Sequence, residues 1–197
     1  MSNSEDIKKQ LKIKNKEIYQ NKLNLDLDNN LEVLVLTIDN YLQKVQNDST
    51  EKILEIEESF FNQEKIQESI SIFLNLYREN LMMLIDLKKE NLQNILIIQD
   101  NLENCRDNLL SNYNNIKTNL YEFSSKNIKT LKEGLNEQMD SSFKKKRLED
   151  YLENIFLSNL NNKVLDIIKT RDIILLNTFE ETYLKYLELN KNTVGVN

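Results

Sequence analysis

The chain has 197 residues, no proline, two glycines and no tryptophan, and 40% of its residues are hydrophobic. Sandwiches and barrels need more turn residues and disordered chains have fewer core formers, so the composition excludes these classes and favours an all-α fold. The formal net charge of −6 argues against nucleic acid as the main partner.

The sequence contains no histidine, which removes the commonest general base and a frequent zinc ligand. Two glycines cannot build a phosphate-binding loop. The many asparagines are attributed to coding bias rather than to a ligand site. The neighbouring carboxylates are interpreted as solvated helix faces: Glu57 and Glu58, and Asp100, Glu103 and Asp107. We therefore expect no enzyme, no cofactor and no metal site.

The single cysteine, Cys105, cannot form an intramolecular disulfide, and the chain is long enough to build a core without one. The first ten residues carry charges of both signs and lack the apolar stretch of a secretory signal. The longest purely apolar runs are far shorter than the roughly 20 residues that cross a bilayer. We therefore expect a cytoplasmic protein without a transmembrane helix.

Residues 1–22 carry six lysines and three acidic residues, whereas residues 24–58 carry nine acidic residues and two lysines. The net charges are therefore near +3 and near −7. Because Ile7, Leu11 and Ile18 follow helical spacing, the first segment is predicted to be a loosely attached basic helical arm that docks on the acidic segment. Anchoring to anionic lipid is the competing interpretation.

The stretch LNLDLDNN, residues 23–30, alternates apolar and polar residues but is too short and isolated for a strand in a sheet. It is predicted to be a connector, and its last three residues can cap a helix through residues 31–46. Asp48 and Glu51 resemble a capping box, so another helix is predicted to begin near Ser49.

From Ile66 to Leu131, apolar residues recur every three or four positions, with a mean step of about 3.6 that favours a straight helix over a supercoiled heptad repeat. An unbroken helix of this length would measure about 100 Å. We therefore expect the molecule to be elongated or the helix to bend. The first expected bend is at residues 108–115 and the second at residues 124–127.

Gly134 lies just after the last firm position of this pattern and is predicted to be a left-handed helix C-cap. One of Asp140, Ser141 and Ser142 can cap the next helix. Residues 134–142 are therefore predicted to form an inter-helix turn.

A final helix is predicted over residues 143–190, and it is apolar on most of its circumference. Such a helix is either central in a bundle or shared with a partner. With residues 31–38 it supplies the candidate apolar interface: Ile173, Leu176, Leu184, Leu189, Val33 and Leu36.

The densest basic cluster of the chain is a candidate contact for a partner or an anion: Lys144, Lys145, Lys146 and Arg147. Acidic neighbours at helical spacing favour ordinary solvated lysines. Contact with an acidic protein or lipid headgroup is the first alternative. Nucleic-acid binding is a weaker one, because no aromatic residues are interleaved.

The sequence thus predicts one elongated domain over residues 1–197, an antiparallel bundle of long amphipathic helices with coiled-coil-like packing. Its predicted function is that of a non-enzymatic interaction module that binds another protein or a second copy of itself. One alternative is a membrane-surface-active protein that uses LEVLVLTI or LMMLI as a wedge. Another is a nucleic-acid or phosphate-ligand binder that uses residues 144–147.

Overall fold

The fold is that of a computed structural model, which describes residues 2–98 and 102–195. It consists of helices joined by short connections: α1 (Ser2–Glu57), α2 (Gln63–Ile98), α3 (Leu102–Asn136), α4 (Ser142–Tyr151), a π-helical turn (Leu152–Phe156) and α5 (Leu157–Val194). The predicted all-α fold, an elongated helical bundle, is confirmed. Among the residues described, no helix is long and apolar enough to cross a membrane.

Contacts between neighbouring helices show that they are antiparallel. Arg78 of α2 pairs with Asp39 of α1. Further along α2, Lys89 pairs with Asp28, which lies earlier in α1. The same reversal relates α2 to α3, α3 to α5 and α1 to α5. The long helices therefore alternate in direction around one core.

The core contains leucine, isoleucine and aromatic side chains contributed by every long helix. Several have no exposed surface: Leu27, Ile38, Tyr77, Leu81, Leu120 and Phe179. Burying a side chain of this size contributes about 1.5–3 kcal/mol. Tertiary packing therefore stabilises these helices even where asparagine and β-branched residues lower their intrinsic propensity.

Helix α1 is continuous, so the predicted connector at residues 23–30 and the predicted helix start near Ser49 are wrong. Leu23 and Leu27 are buried four residues apart on the core face, so the apparent period of two is part of a helical pattern. The hydroxyl of Ser49 donates to the carbonyl of Val45 within the helix. The predicted docking of the basic arm on the acidic segment is also wrong, because both segments belong to this one continuous helix.

The predicted helix from Ile66 to Leu131 is two helices, since α2 ends at Ile98 and α3 begins at Leu102. Residues 99–101 lie outside the described part. The bends expected at residues 108–115 and 124–127 are wrong, because both stretches are inside α3. The apolar pattern continues across the connection because both helices direct their stripes into the same core, and no glycine or proline marks the joint.

Gly134 lies inside α3 and does not adopt a left-handed conformation, so its predicted role as a C-cap is wrong. A Cβ atom at this position would lie 3.3 Å from the Oγ atom of Ser69 in α2. The glycine therefore permits a close approach of α2 and α3. The connection that follows is shorter than the predicted turn, and Ser141 caps α4 by accepting a 3.2 Å hydrogen bond from the backbone N–H of Lys144.

The predicted final helix at residues 143–190 matches a helical run from Ser142 to Val194. The backbone stays in the right-handed helical region at both ends of the π-helical turn, so α4, this turn and α5 form one rod. No residue type in the sequence signals the π-helical turn, which inserts between Tyr151 and Leu157.

Helix α1 exceeds α2 by about 30 Å in length. The register of the Lys89–Asp28 pair places the end of α2 level with roughly residue 19 of α1. Beyond that level α1 continues beside the end of α5, and the hydrogen bond between Asn15 and Asn190 places Val194, the last residue of α5, level with roughly residue 11 of α1. Residues 2–18 and 187–194 are called the two-helix extension below, and the rest of the bundle the four-helix part.

Candidate interaction surfaces

An apolar stripe runs along the side of α1 that faces away from the core. Its members, called the α1 stripe, lie at intervals of four, seven, seven and eleven residues: Ile7, Leu11, Ile18, Leu25 and Leu36. These intervals place all five within about 20° of one direction and along about 44 Å of helix. Their side chains are between 42% and 58% exposed, so the bundle leaves this face uncovered.

The candidate apolar interface predicted from sequence does not form one patch. Val33 and Leu36 are exposed on the outer side of α1, where Leu36 belongs to the α1 stripe and Val33 borders it. On α5, Ile173 and Leu184 share an exposed face three turns apart, and exposed Leu189 lies about half a turn away from that face. Leu176 differs from the rest, because it is half-buried and packs against the core.

The first residue of the basic cluster is engaged in holding the bundle together. The Lys144 ammonium donates a 2.9 Å hydrogen bond to the backbone carbonyl of Glu57 at the end of α1. It also lies 3.2 Å from a carboxylate oxygen of Asp140 and 3.8 Å from one of Glu58. With only 17% of its side chain exposed, Lys144 connects α4 to the last turn of α1.

The other basic residues of the cluster lie on the outside of α4. Lys146 pairs with Asp150 one turn later at 3.4 Å, and the Arg147 guanidinium lies 5.8 Å from the centroid of the Phe143 ring. Lys145 is exposed. Because carboxylates neutralise two of the four cations, the cluster does not present the dense positive field that a polyanion binds.

Three phenylalanines project from the same end of the bundle, here called the closed end. Phe60 and Phe61 in the connection between α1 and α2 are 78% and 99% exposed, and Phe143 is 71% exposed. The connection is shaped by Glu57, whose carboxylate accepts a 2.8 Å hydrogen bond from the backbone N–H of Ser59. Glu57 is buried, so its interpretation as a solvated carboxylate is wrong.

A groove of about 480 Å³ lies beside the π-helical turn, between α1 and α5. The Tyr41 hydroxyl donates to the backbone carbonyl of Asn159 at 3.2 Å. Burial, with a smaller effect of the Asp48 charge, raises the pKa of Tyr41 and raises that of Tyr151 to about 12. Both phenols are therefore neutral hydrogen-bonding groups at physiological pH. The periodicity of the sequence did not predict this groove.

Polar groups also cross the interior of the bundle. Buried Lys88 of α2 pairs with Asp172 of α5. Closer to the closed end, the Tyr77 hydroxyl donates to the Asn161 side chain at 2.9 Å, and Asn161 donates to Ser124 at 3.1 Å. These contacts join helices within the core and are closed to a ligand.

The acidic residues and the cysteine are the side chains of this sequence that could ligate a metal ion. No cluster of three or more of them that could hold a metal ion occurs in the part of the chain that the structure describes. Asp100, one of the acidic residues singled out in the sequence, lies outside the described residues. Burial raises the pKa of the Cys105 thiol to about 11, which keeps the thiol protonated and a poor nucleophile.

Comparison of the chain with protein-family models, with curated proteins and with solved structures finds no match. The class of the protein is therefore given by its architecture, an all-α bundle of long antiparallel helices. Of the apolar surfaces described for this bundle, the α1 stripe is the longest that the other helices leave uncovered.

Proposed function

We propose that this protein is a non-enzymatic interaction module, a scaffold, adaptor or inhibitor, that binds another protein or a second copy of itself through the outer face of α1. The α1 stripe is the observation that carries the proposal. A helix that packs on one side normally presents polar residues on the other. Here the outer face carries five large apolar side chains in line, the pattern by which a helix docks against another helix or a groove.

The packing supports a protein partner over insertion into a membrane. The segments LEVLVLTI and LMMLI would be the wedges, but Leu34, Ile38, Leu81 and Ile85 are buried in the core. Exposing them would cost the burial energy that stabilises the four-helix part. The α1 stripe, in contrast, is accessible without any rearrangement of the bundle.

The charge distribution supports a protein partner over a nucleic acid or phosphate ligand. Lys144 is bound to Glu57 and Asp140, and Lys146 to Asp150. The whole chain has a net charge of −6, which repels a polyanion.

We also propose a cytoplasmic location, because the single thiol is free and buried and no disulfide stabilises the fold.

The test compares a stripe variant with a matched control in pull-down and in size-exclusion chromatography with light scattering. Ile18→Ser combined with Leu25→Ser removes the centre of the stripe. Ile13→Ser combined with Ile72→Ser changes two residues that are 53% and 52% exposed but lie elsewhere. We expect only the stripe variant to lose its protein partner or its self-association. A wild-type chain that stays monomeric and captures no protein would overturn the proposal.

A further inference from the structure

We infer that the α1 stripe binds a second copy of the chain, with the two α1 helices packed antiparallel about a two-fold axis. This inference rests on the proposed function and deepens it by naming the partner. A two-fold interface is self-complementary, so a single patch must match itself when reversed. The α1 stripe meets this condition in both its apolar spacing and its charges.

Four of the five apolar residues of the stripe share one centre of reversal. Ile7 and Leu36 are equally distant from the midpoint between residues 21 and 22, and so are Ile18 and Leu25. An antiparallel pair centred there places Ile7 against Leu36 and Ile18 against Leu25 of the partner subunit. In the same register Leu11 lies beside Val33, which is 43% exposed and borders the stripe.

The charges along α1 select the antiparallel arrangement over a parallel one. In the register above, residues 2–19 face residues 24–41 of the partner subunit, which contain no basic residue. Three of the four acidic residues there, Asp26, Asp28 and Asp39, are paired with cations of their own chain, and the fourth is Glu32. Residues 2–19 themselves contain five lysines against three acidic residues. A parallel pair would instead place lysines opposite lysines and acids opposite acids.

One ion pair between subunits follows from this register. Lys14 and Glu32 both lie about 40° to the same side of the stripe. In the antiparallel pair Lys14 lies within one helical turn of Glu32 of the partner subunit. Both side chains are exposed, and neither forms an ion pair within the described residues. Lys22, which lies close to the two-fold axis, is already paired with its own Asp26 at 2.6 Å.

The size of the surface sets the expected affinity. A strip about 44 Å long and one helix wide, about 10 Å, buries roughly 900 Å² over both subunits. This area is below that of typical stable complexes. We therefore expect a reversible dimer with a dissociation constant in the micromolar range, weakened by added salt.

Sedimentation velocity of the full chain at low salt, from about 1 to 200 µM, tests the association. We expect the average mass to rise with concentration from 23.4 kDa toward twice that value. Lys14→Glu and Glu32→Lys should each weaken the dimer about tenfold, because the pair occurs twice and each change juxtaposes like charges. The two changes combined should restore wild-type association. Lys9→Glu, on the opposite side of α1, is the control for net charge.

Disulfide trapping tests the orientation. Because the native cysteine, Cys105, is buried, the introduced cysteines provide the accessible thiols. Mixed Ile18→Cys and Leu25→Cys chains should form a disulfide-linked heterodimer, whereas Ile18→Cys alone should not, since its two copies would be about 10 Å apart along the helices. Efficient trapping of Ile18→Cys alone would overturn the antiparallel arrangement.

The failure of this inference is distinguishable from the failure of the proposed function. A chain that remains monomeric at 200 µM, or a double charge reversal without restoration, overturns the antiparallel dimer. If the monomeric chain still captures a different protein through the α1 stripe, and Ile18→Ser with Leu25→Ser abolishes that capture, the proposed function stands with another partner.

Discussion

The four-helix part encloses a core of apolar residues, whereas the two-helix extension leaves its large apolar residues partly exposed. In the four-helix part, Tyr77 and Phe179 have no exposed surface, whereas Ile7 and Leu11 in the extension are 51% and 42% exposed. Four helices can enclose a core and two cannot. The fold is therefore stabilised by one set of residues and association is assigned to another, so substitutions should separate the two properties.

The largest expected effect is at the buried ion pair of the four-helix part. Lys88→Met leaves Asp172 buried without its cation, and removal of one partner of such a pair costs about 3–5 kcal/mol of unfolding free energy. The adjacent Lys89 is the control, because its 3.1 Å pair with Asp28 is half-exposed; Lys89→Met should cost at most about 1 kcal/mol. Urea denaturation measures both. Equal losses of unfolding free energy in Lys88→Met and Lys89→Met would show that the buried ion pair contributes no more to stability than the half-exposed one.

The pH dependence of the Lys88→Met deficit provides an independent check. Burial raises the pKa of Asp172 above 3.8, and the Lys88 charge opposes that rise. In the variant the pKa rises further. The folded variant then binds more protons than the unfolded chain between the two pKa values, so its stability increases as the pH falls toward 3.8. The deficit relative to wild type should therefore shrink on acidification, and a constant deficit would exclude Asp172 as its origin.

The parts of the fold that the sequence predicted depend on patterns repeated many times. The absence of proline and the 3.6-residue period predicted helices, and N-cap preferences gave three candidate caps for α4 that include Ser141. The errors occurred where the prediction of an element rested on a single local sequence signal. LNLDLDNN was interpreted without the neighbours that bury Leu23 and Leu27, and Gly134 was interpreted without Ser69, whose side chain lies on another helix.

The candidate surface was predicted only in part for a related reason. Periodicity identified Ile7, Leu11 and Ile18 as one apolar face, but it did not show that the core would cover the opposite face. The predicted connector at residues 23–30 also interrupted the pattern before Leu25 and Leu36. A continuous helix assignment would have found the stripe, since all its intervals are close to whole turns.

A smaller effect is expected at the base of the two-helix extension. Tyr19 is 3% exposed, and its ring stacks on Tyr186 with centroids 4.5 Å apart. Tyr19→Ala should lower the free energy of opening the extension by about 2 kcal/mol. Amide hydrogen exchange should then accelerate by more than tenfold in residues 11–18, the part of the extension that lies beside α5.

The exchange of amides in the four-helix part should change much less in this variant. Ile13→Ala, at a position in the same extension that is 53% exposed, is the matched control and should leave the exchange pattern close to wild type. If Tyr19→Ala accelerated exchange uniformly along the chain, the extension would not open as a separate unit. The comparison between the two regions would then fail.

The smallest effect concerns the closed end and adjacent lysines of the basic cluster. Lys144→Ala removes the hydrogen bond to the Glu57 carbonyl and the pair with Asp140, and it should cost about 1–2 kcal/mol of unfolding free energy. Lys145→Ala should stay within about 0.5 kcal/mol, since that side chain is exposed. Equal losses of unfolding free energy in the two variants would show that Lys144 has no structural role.

Because the closed end and the extension lie at opposite ends of α1, Lys144→Ala should leave hydrogen exchange in residues 2–18 unchanged. Acceleration there would show that the long helix couples the two ends.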